Sequence, residues 1–254
     1  MRTLIIFAKA PIPGLVKTRL ARGTPLDEAR VCYLYEAFLK DTITIATLTG
    51  AENIALHFTP PEEEKTMRKL VKNLRLGARN EGRFTFKAQI GENFTERVAN
   101  SFEMEVENGG EELVMIGADS PILKPQIIDA AFDFIFSRSG MAVGPTGEGG
   151  AYLIGFPSGA NIDFDGVFTH GSELENLLDR AKAGNIPFKM LPEILDVDVE
   201  SDLITLIGVT RALAYERKFD SQIFPRHTYN AIEELGLKVE RAVDDTRSKR
   251  IIVS

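Results

Sequence analysis

Basic side chains cluster in one proline-rich stretch near the start of this chain, although its 254 residues carry a net charge of −7. Lys9, Lys17 and Arg19 share that stretch with two prolines and Gly14. Because proline and glycine interrupt regular structure, the stretch predicts a loop. A basic loop between a strand and a helix is where open α/β sheets bind phosphate groups. We therefore predict a phosphate-binding loop, with a solvated basic turn as the alternative.

Aspartates supply a second kind of chemistry. Asp119 follows an apolar run, and Asp196 and Asp198 open an acidic stretch. Carboxylate oxygens suit Mg²⁺ or Mn²⁺, which keeps several waters and bridges to a phosphate ligand. Each aspartate also has an ordinary interpretation: Asp119 as a turn residue, Asp196 as a surface residue and Asp198 as the cap of the next helix. Together with the basic loop, they favour a site for a polyphosphate and a divalent ion.

A glycine-rich turn around Glu148 is the third unusual segment. Its adjacent glycines, Gly149 and Gly150, permit close approach of the backbone to a ligand, or serve only a tight turn. Glu148 places a carboxylate within this turn. We predict that the turn contributes to the same site.

The elements that must position these segments follow a regular order. Short apolar runs, rich in β-branched residues, alternate with helical patterns. This alternation predicts an α/β protein with a mostly parallel sheet covered by helices on both faces. Ligands bind outside the carboxyl ends of such strands, so the basic loop, the aspartates and the glycine turn are expected at one edge. The predicted strands are 3–8, 53–58, 84–90, 112–116, 141–143, 151–156 and 188–191, and the predicted helices begin at Thr24, after Pro61, at Asn93, near 125, at Ser172 and after Asp198.

Residues 1–218 form one predicted domain, and 219–254 form a C-terminal appendage. Within the appendage we predict a short helix at 231–235 and a hairpin of 237–243 with 250–253, turning at Asp244-Asp245. The appendage caps the domain or meets a partner, and a homodimer contact is one option.

Composition excludes several classes. An acidic chain does not suit sequence-independent nucleic-acid binding, whereas a nucleotide needs only a local basic pocket. The first apolar run is too short for a signal peptide or a membrane span. One cysteine, Cys32, allows no internal disulfide, so a cytoplasmic location is expected. The three histidines show no zinc-ligand spacing.

Several of these segments resemble one known family, the glycosyltransferase-like, radical-SAM/selenodomain-associated transferases. The run from Ala8 to Leu20 resembles the family's opening signature, and 117–121 is similar to its Gly-x-Asp-x-Pro turn. The segment 144–155 resembles its Gly-Pro-x-x-Asp-Gly-Gly motif, and 196–203 its closing signature. Gln89, Gly91 and Arg97 fit a weaker motif in between. The chain departs from the family in having Glu148 and Ala151 where the family has Asp and Tyr, and Thr169-His170-Gly171 for Trp-Ser-Thr.

The resemblance implies a Rossmann-like GT-A fold, as in nucleotide-diphospho-sugar transferases and nucleotidyltransferases. It further implies that Asp119 and Asp198 share Mg²⁺ or Mn²⁺. The expected nucleotide and phosphate contacts are Lys9, Gly14, Lys17, Arg19, Gln89, Arg97, Gly149 and Gly150.

Three functions follow as hypotheses. The first is metal-dependent transfer from a nucleotide-diphospho-sugar to a small acceptor, with Lys17 and Glu148 as catalytic residues and Glu148 as the candidate general base. The second is nucleotidyl transfer from a nucleoside triphosphate to a phosphorylated acceptor, with pyrophosphate leaving. The third is a non-catalytic nucleotide-binding module, which the departures from the family pattern motivate.

Overall fold

The computed structural model describes residues 1–221, 223–241 and 248–253, and the secondary structure below is that of these residues. Most strands and helices fall close to the predicted positions along the chain, whereas the short helices at 18–23 and 78–81 were not predicted. The strands are β1 (Arg2–Lys9), β2 (Asn53–Thr59), β3 (Phe84–Ala88), β4 (Glu112–Gly117), β5 (Met141–Pro145), β6 (Ala151–Pro157), β7 (Phe188–Met190), β8 (Leu237–Arg241) and β9 (Lys249–Val253). The α-helices are α1 (Thr18–Gly23), α2 (Glu28–Thr47), α3 (Glu64–Asn73), α4 (Ala78–Glu81), α5 (Phe94–Glu107), α6 (Pro125–Arg138), α7 (Glu173–Ala183), α8 (Glu200–Glu216) and α9 (Arg226–Glu234).

Strands β1 to β7 form one sheet in the order β3-β2-β1-β4-β6-β5-β7. β1 pairs in parallel with β2 and β4, so that Ile5 lies between Ala55 and Met115. β6 runs antiparallel to both β4 and β5, while β3 and β7 pair in parallel with β2 and β5. The sheet is therefore mostly parallel, as predicted, with β6 reversed.

Helices cover this sheet on both faces because successive strand residues point to opposite sides. In β4, Leu113 and Met115 join a buried cluster with residues of α5 and α7. Val114 of the same strand lies on the other face, where α6 contacts β4, β5 and β6. This arrangement confirms the predicted α/β fold class.

The chain divides into two compact units. Unit 1 contains Met1–Ala10, Ile43–Ala118 and Leu123–Ile194, and therefore the whole seven-stranded sheet. Unit 2 contains Pro11–Thr42, Asp119–Ile122 and Leu195–Ser254. The boundary at residue 218 stays a prediction of domain organisation.

Unit 2 has its own apolar core, built mainly from α2 and α8. Leu34 and Phe38 of α2 pack with Leu206 of α8, and Ile232 of α9 joins the same cluster. Leu237 and Ile251 add the β8–β9 hairpin to it. The hairpin and the helix predicted in the C-terminal segment are both present, although α9 begins earlier than predicted. The predicted turn at Asp244-Asp245 lies outside the described residues.

One helix start was predicted wrongly. The pattern placed a helix start at Thr24, whereas α1 ends there and α2 begins at Glu28. The Thr24 hydroxyl donates to Leu20 O at 2.8 Å, so the Thr24 side chain caps the carboxyl end of α1. Asp27 Oδ1 accepts from Arg30 N at 2.8 Å and caps α2 instead.

The predicted cap Asn93 is confirmed, and Ser172 caps a second helix at its predicted start. Asn93 Oδ1 accepts from Glu96 N at 2.9 Å at the start of α5, and Ser172 Oγ accepts from Glu175 N at 3.3 Å at the start of α7. None of the helices in the described residues combines the length and the apolar composition that a bilayer crossing requires.

Candidate functional site

The basic loop contains one buried lysine, Lys17, which belongs to unit 2. Gly14 has a φ of 81°, and a Cβ there would lie 3.0 Å from Glu28 Oε2, so the turn requires glycine. Lys17 precedes α1 with a left-handed backbone, φ 48° and ψ 40°. Only 5% of its side chain is exposed. A lysine so deeply buried requires charged partners.

Those partners are the predicted aspartates. Lys17 Nζ lies 2.9 Å from Asp119 Oδ1 and 2.7 Å from Asp198 Oδ1. Arg19 Nη2 lies 2.5 Å from Asp198 Oδ2, although 68% of the Arg19 side chain is exposed. Four residues predicted from three separate segments thus meet within unit 2. We call Lys17, Arg19, Asp119, Asp196 and Asp198 the aspartate–lysine cluster.

Backbone hydrogen bonds fix the two aspartates. Val197, which is fully buried, donates its N–H to Asp119 O at 3.1 Å and joins the two acidic segments. The Asp202 carboxylate accepts from the N–H groups of Asp198 and Val199, each at 2.9 Å, at the start of α8. Asp202 therefore caps the helix, which leaves the Asp198 side chain to face the cations.

Asp196 belongs to the predicted acidic stretch but was not among the residues predicted to bind metal. Burial raises the pKa of its carboxyl to about 7, and Asp119 adds to this rise while Lys17 opposes it. Burial lowers the pKa of the Lys17 ammonium, but Asp119, Asp198 and Asp196 together raise it above its ordinary value. The lysine therefore remains charged. The i, i+2 spacing of Asp196 and Asp198 was the available signal.

The donor set fits a divalent ion. Oxygens of Asp119 and Asp198 lie within 2.9 Å of one nitrogen atom, so they converge on one small volume. Asp119 Oδ1 is buried, and the angle of its contact with Lys17 is outside hydrogen-bond geometry. Hard carboxylate oxygens are the ligands that Mg²⁺ and Mn²⁺ prefer. Elsewhere in the described ranges, and here, no group of three or more Asp, Glu, His or Cys side chains is arranged around a metal position.

Three other predicted site residues lie in unit 1. Lys9 is the last residue of β1 and is exposed. Gln89 Nε2 donates to Ala8 O at 3.0 Å and to His57 O at 3.1 Å, so its amide N–H groups join the ends of β1 and β2. Arg97 lies on α5, and its buried Nε has no hydrogen-bond partner among the described residues. Their contacts with a nucleotide stay predictions.

The glycine turn, also in unit 1, is tightly built. Gly149 has a φ of 78°, and a Cβ there would lie 2.4 Å from Ser172 Oγ, which donates to Gly149 O at 3.1 Å. A Cβ at Gly150 would lie 2.5 Å from Thr146 Oγ1. Glu148 is exposed and left-handed, with a φ of 60°. Gly149 is thus required by its contact with Ser172 at the start of α7, and Gly150 by packing within the turn.

Glu173 is a second carboxylate that sequence reasoning missed. Its Oε2 accepts from Ala151 N at 3.0 Å, directly after the glycine turn. Burial raises the pKa of Glu173, and the hydrogen bond from Ala151 opposes that rise. Glu173 lies in the first turn of α7, where an acidic residue is typical of any helix, so its sequence position did not indicate a site.

The fold defines a class: a GT-A-like arrangement of a mostly parallel sheet with one reversed strand. A structure from Desulfovibrio desulfuricans G20, provisionally described as a nucleotide-diphospho-sugar transferase, is 24% identical with a TM-score of 0.76, covering 92% of this chain and 95% of that chain. A cytidylyltransferase from Leptospira borgpetersenii is 12% identical with a TM-score of 0.53, covering 92% and 94%. A 4-diphosphocytidyl-2C-methyl-D-erythritol synthase from Anaerococcus prevotii is 9% identical with a TM-score of 0.52, covering 83% and 96%. At these identities the similarity shows the fold alone.

A family model also matches this chain. Residues 43–170, half of the chain, match the family described as "Uncharacterized protein conserved in bacteria (DUF2064)", and the chain belongs to it. No curated protein matches the sequence. The narrower resemblance to radical-SAM/selenodomain-associated transferases stays a prediction.

Proposed function

We propose that this protein is a metal-dependent transferase that uses a nucleotide-diphospho-sugar donor and a small-molecule acceptor. The convergence of Asp119 and Asp198 on one cation, beside Arg19, carries the proposal. Paired aspartates next to a lysine and an arginine suit a diphosphate accompanied by a divalent ion. The fold of the Desulfovibrio structure, with its TM-score of 0.76, supports the same class of donor.

Each residue of the aspartate–lysine cluster then has a role. Asp119 and Asp198 would hold Mg²⁺ or Mn²⁺, which when bound neutralises charge on the leaving diphosphate. Arg19 is exposed and offers a planar guanidinium to phosphate oxygens. Lys17 offers a point charge from the same loop. The backbone hydrogen bonds of Asp202 and Val197 keep the aspartates in place.

In the proposed reaction, the acceptor hydroxyl oxygen forms a bond to the anomeric carbon of the sugar. The bond between that carbon and the diphosphate oxygen breaks, and the nucleoside diphosphate leaves with the electron pair. The hydroxyl proton passes to a carboxylate, for which Glu148 is our candidate. The further nucleotide contacts that we propose are Lys9, Gly14, Gln89, Arg97, Gly149 and Gly150.

Nucleotidyl transfer is the second candidate, and one observation favours it. The fold is also similar to that of the Leptospira cytidylyltransferase, with a TM-score of 0.53, and of the Anaerococcus 4-diphosphocytidyl-2C-methyl-D-erythritol synthase, with a TM-score of 0.52. Attack of an acceptor phosphate on the α-phosphorus needs positioning and charge neutralisation, with no dedicated base. The aspartate–lysine cluster suits that requirement without any contribution from Glu148.

The test is a substrate panel with Mg²⁺ or Mn²⁺. Nucleotide-sugars that yield a nucleoside diphosphate support the glycosyl reaction, whereas triphosphates that yield pyrophosphate support the nucleotidyl reaction. We expect Asp119→Asn and Asp198→Asn to reduce turnover at least about a hundredfold, since they remove charge needed in the transition state. Asp179→Asn, at an exposed helix position, is the matched control. Nucleotide binding without turnover of any donor would identify a non-catalytic module and refute both reactions.

A further inference from the structure

Lys17 and a divalent ion require the same oxygens. Lys17 Nζ contacts Asp119 Oδ1 and Asp198 Oδ1, and its side chain is almost wholly buried between them. The second oxygen of Asp198 is occupied by Arg19 Nη2 at 2.5 Å. Both oxygens of Asp198 therefore already face a cation of the chain itself. A metal ion that bridges Asp119 Oδ1 and Asp198 Oδ1 would therefore occupy the position of the ammonium.

One feature of the cluster suits an exchange of cations. The contact between Lys17 Nζ and Asp119 Oδ1 lacks hydrogen-bond geometry although the two atoms lie 2.9 Å apart, so the lysine satisfies this oxygen by charge alone. A divalent ion carries twice the charge of the ammonium and would be attracted more strongly to the same two carboxylates.

The side chain of Lys17 is the part of the contact that can move. Backbone hydrogen bonds hold both sides: Lys17 O accepts from Ala21 N at 3.1 Å, and Asp119 and Asp198 are held through Val197 and Asp202. Lysine has a flexible four-carbon stem, whereas the aspartate side chains are short. The ammonium can therefore leave the carboxylates while the backbone on both sides stays in place.

We propose that Lys17 is an internal counter-ion that keeps divalent metal out of the aspartate pair until a substrate phosphate draws the ammonium away. Metal binding is then weak in the ligand-free protein and becomes strong only together with the phosphate group. The destination of Lys17 rests on the proposed function, but its competition with metal does not. Binding of metal and of phosphate would be coupled, because each requires the same displacement.

The test measures Mn²⁺ binding to the full chain without nucleotide, by the electron paramagnetic resonance signal of free Mn²⁺. We expect Lys17→Gln to bind Mn²⁺ at least about tenfold more tightly than the unaltered protein, a coupling of ordinary size. Lys40→Gln makes the same change in net charge on α2, in an i, i+4 pair with Glu36, and should bind as the unaltered protein does. Equal or weaker binding by Lys17→Gln would overturn the proposal.

Two further variants locate the effect and guard against misfolding. In Lys17→Gln/Asp119→Asn the gain in affinity should disappear, and a gain that persists would place the ion elsewhere and contradict the proposal. Lys17→Met, which removes the donor to Asp198 Oδ1 and the positive charge beside Asp119 Oδ1, should have a lowered melting temperature that Mn²⁺ restores. A Lys17→Met protein that stays equally destabilised in saturating Mn²⁺ would contradict the exchange.

The outcome is separable from that of the proposed function. The Mn²⁺ titrations require no substrate, so they remain decisive even if no nucleotide-sugar or triphosphate is turned over. Conversely, a protein that turns over a donor while Lys17→Gln gains no Mn²⁺ affinity would retain the proposed function and lose the counter-ion role.

Discussion

Asp41 gives a pH dependence of stability that can be worked out from its contacts. It lies on α2, is 3% exposed, and accepts from Thr228 N at 2.7 Å and from His227 N at 3.1 Å in the first turn of α9. Burial raises the pKa of its carboxyl to about 6, although these hydrogen bonds and Lys40 lower it. The neutral form is therefore favoured by folding.

The sign and size follow from linkage. Because the folded pKa exceeds the unfolded value of about 3.9, the folded protein binds more protons between about pH 4 and pH 6. Asp41 thus contributes stability below that window, and the contribution is lost as the pH rises through about 6. Two pKa units correspond to about 3 kcal/mol, of which about 2 kcal/mol is lost between pH 4 and pH 7.

Urea unfolding at several pH values can isolate this contribution. Asp41→Asn does not titrate, so the difference in unfolding free energy between the unaltered protein and Asp41→Asn should fall by about 2 kcal/mol from pH 4 to pH 7. The same replacement at exposed Asp179 should give a nearly constant difference. A constant difference for Asp41 as well would refute the reasoning, because it would mean that burial does not perturb this carboxyl.

Three shorter predictions concern the site residues. Asp202→Ala should lower the unfolding free energy by about 1–2 kcal/mol, because it removes the cap of α8. The same change should weaken Mn²⁺ binding, because it releases the backbone of Asp198. Unchanged Mn²⁺ binding would show that Asp202 does not position Asp198. Gly149→Ala should cost about 1–3 kcal/mol in urea unfolding, since its Cβ would meet Ser172 Oγ at a positive φ; a cost near zero would show that the turn rearranges freely. In calorimetric titrations, Asp119→Asn should bind Mn²⁺ more weakly with nucleotide present, and equal affinity would exclude Asp119 as a ligand.

Most strands and helices could be predicted from the sequence because they depend on short stretches of neighbouring residues. The strand at Thr3–Ala8 is a β-branched apolar run that ends at a proline-rich loop, and the structure places β1 at Arg2–Lys9. The cap Asn93 was likewise predicted from a side chain that bonds to its own helix. The start of α2 was misread because Thr24 and Asp27 are both good caps, and only the bond from Thr24 to Leu20 separates them.

The candidate site also has some features that the sequence predicts and others that only the structure shows. Residue type and spacing were enough to predict that a basic loop and several aspartates follow strands. It left open whether Asp198 caps a helix or faces a ligand. The structure shows that Asp202 accepts the backbone N–H groups and that Asp198 contacts Lys17, 181 residues away in the chain, while a ligand at Asp198 stays a prediction.

Only the tertiary structure could bury Lys17 between two aspartates and place Asp196 beside them. Such contacts depend on how loops close over long separations and on which charges lose their water, and neither is encoded in a short stretch of residues. Residue type and order therefore predicted the kind of site, and the packing of unit 2 brought its charged groups together.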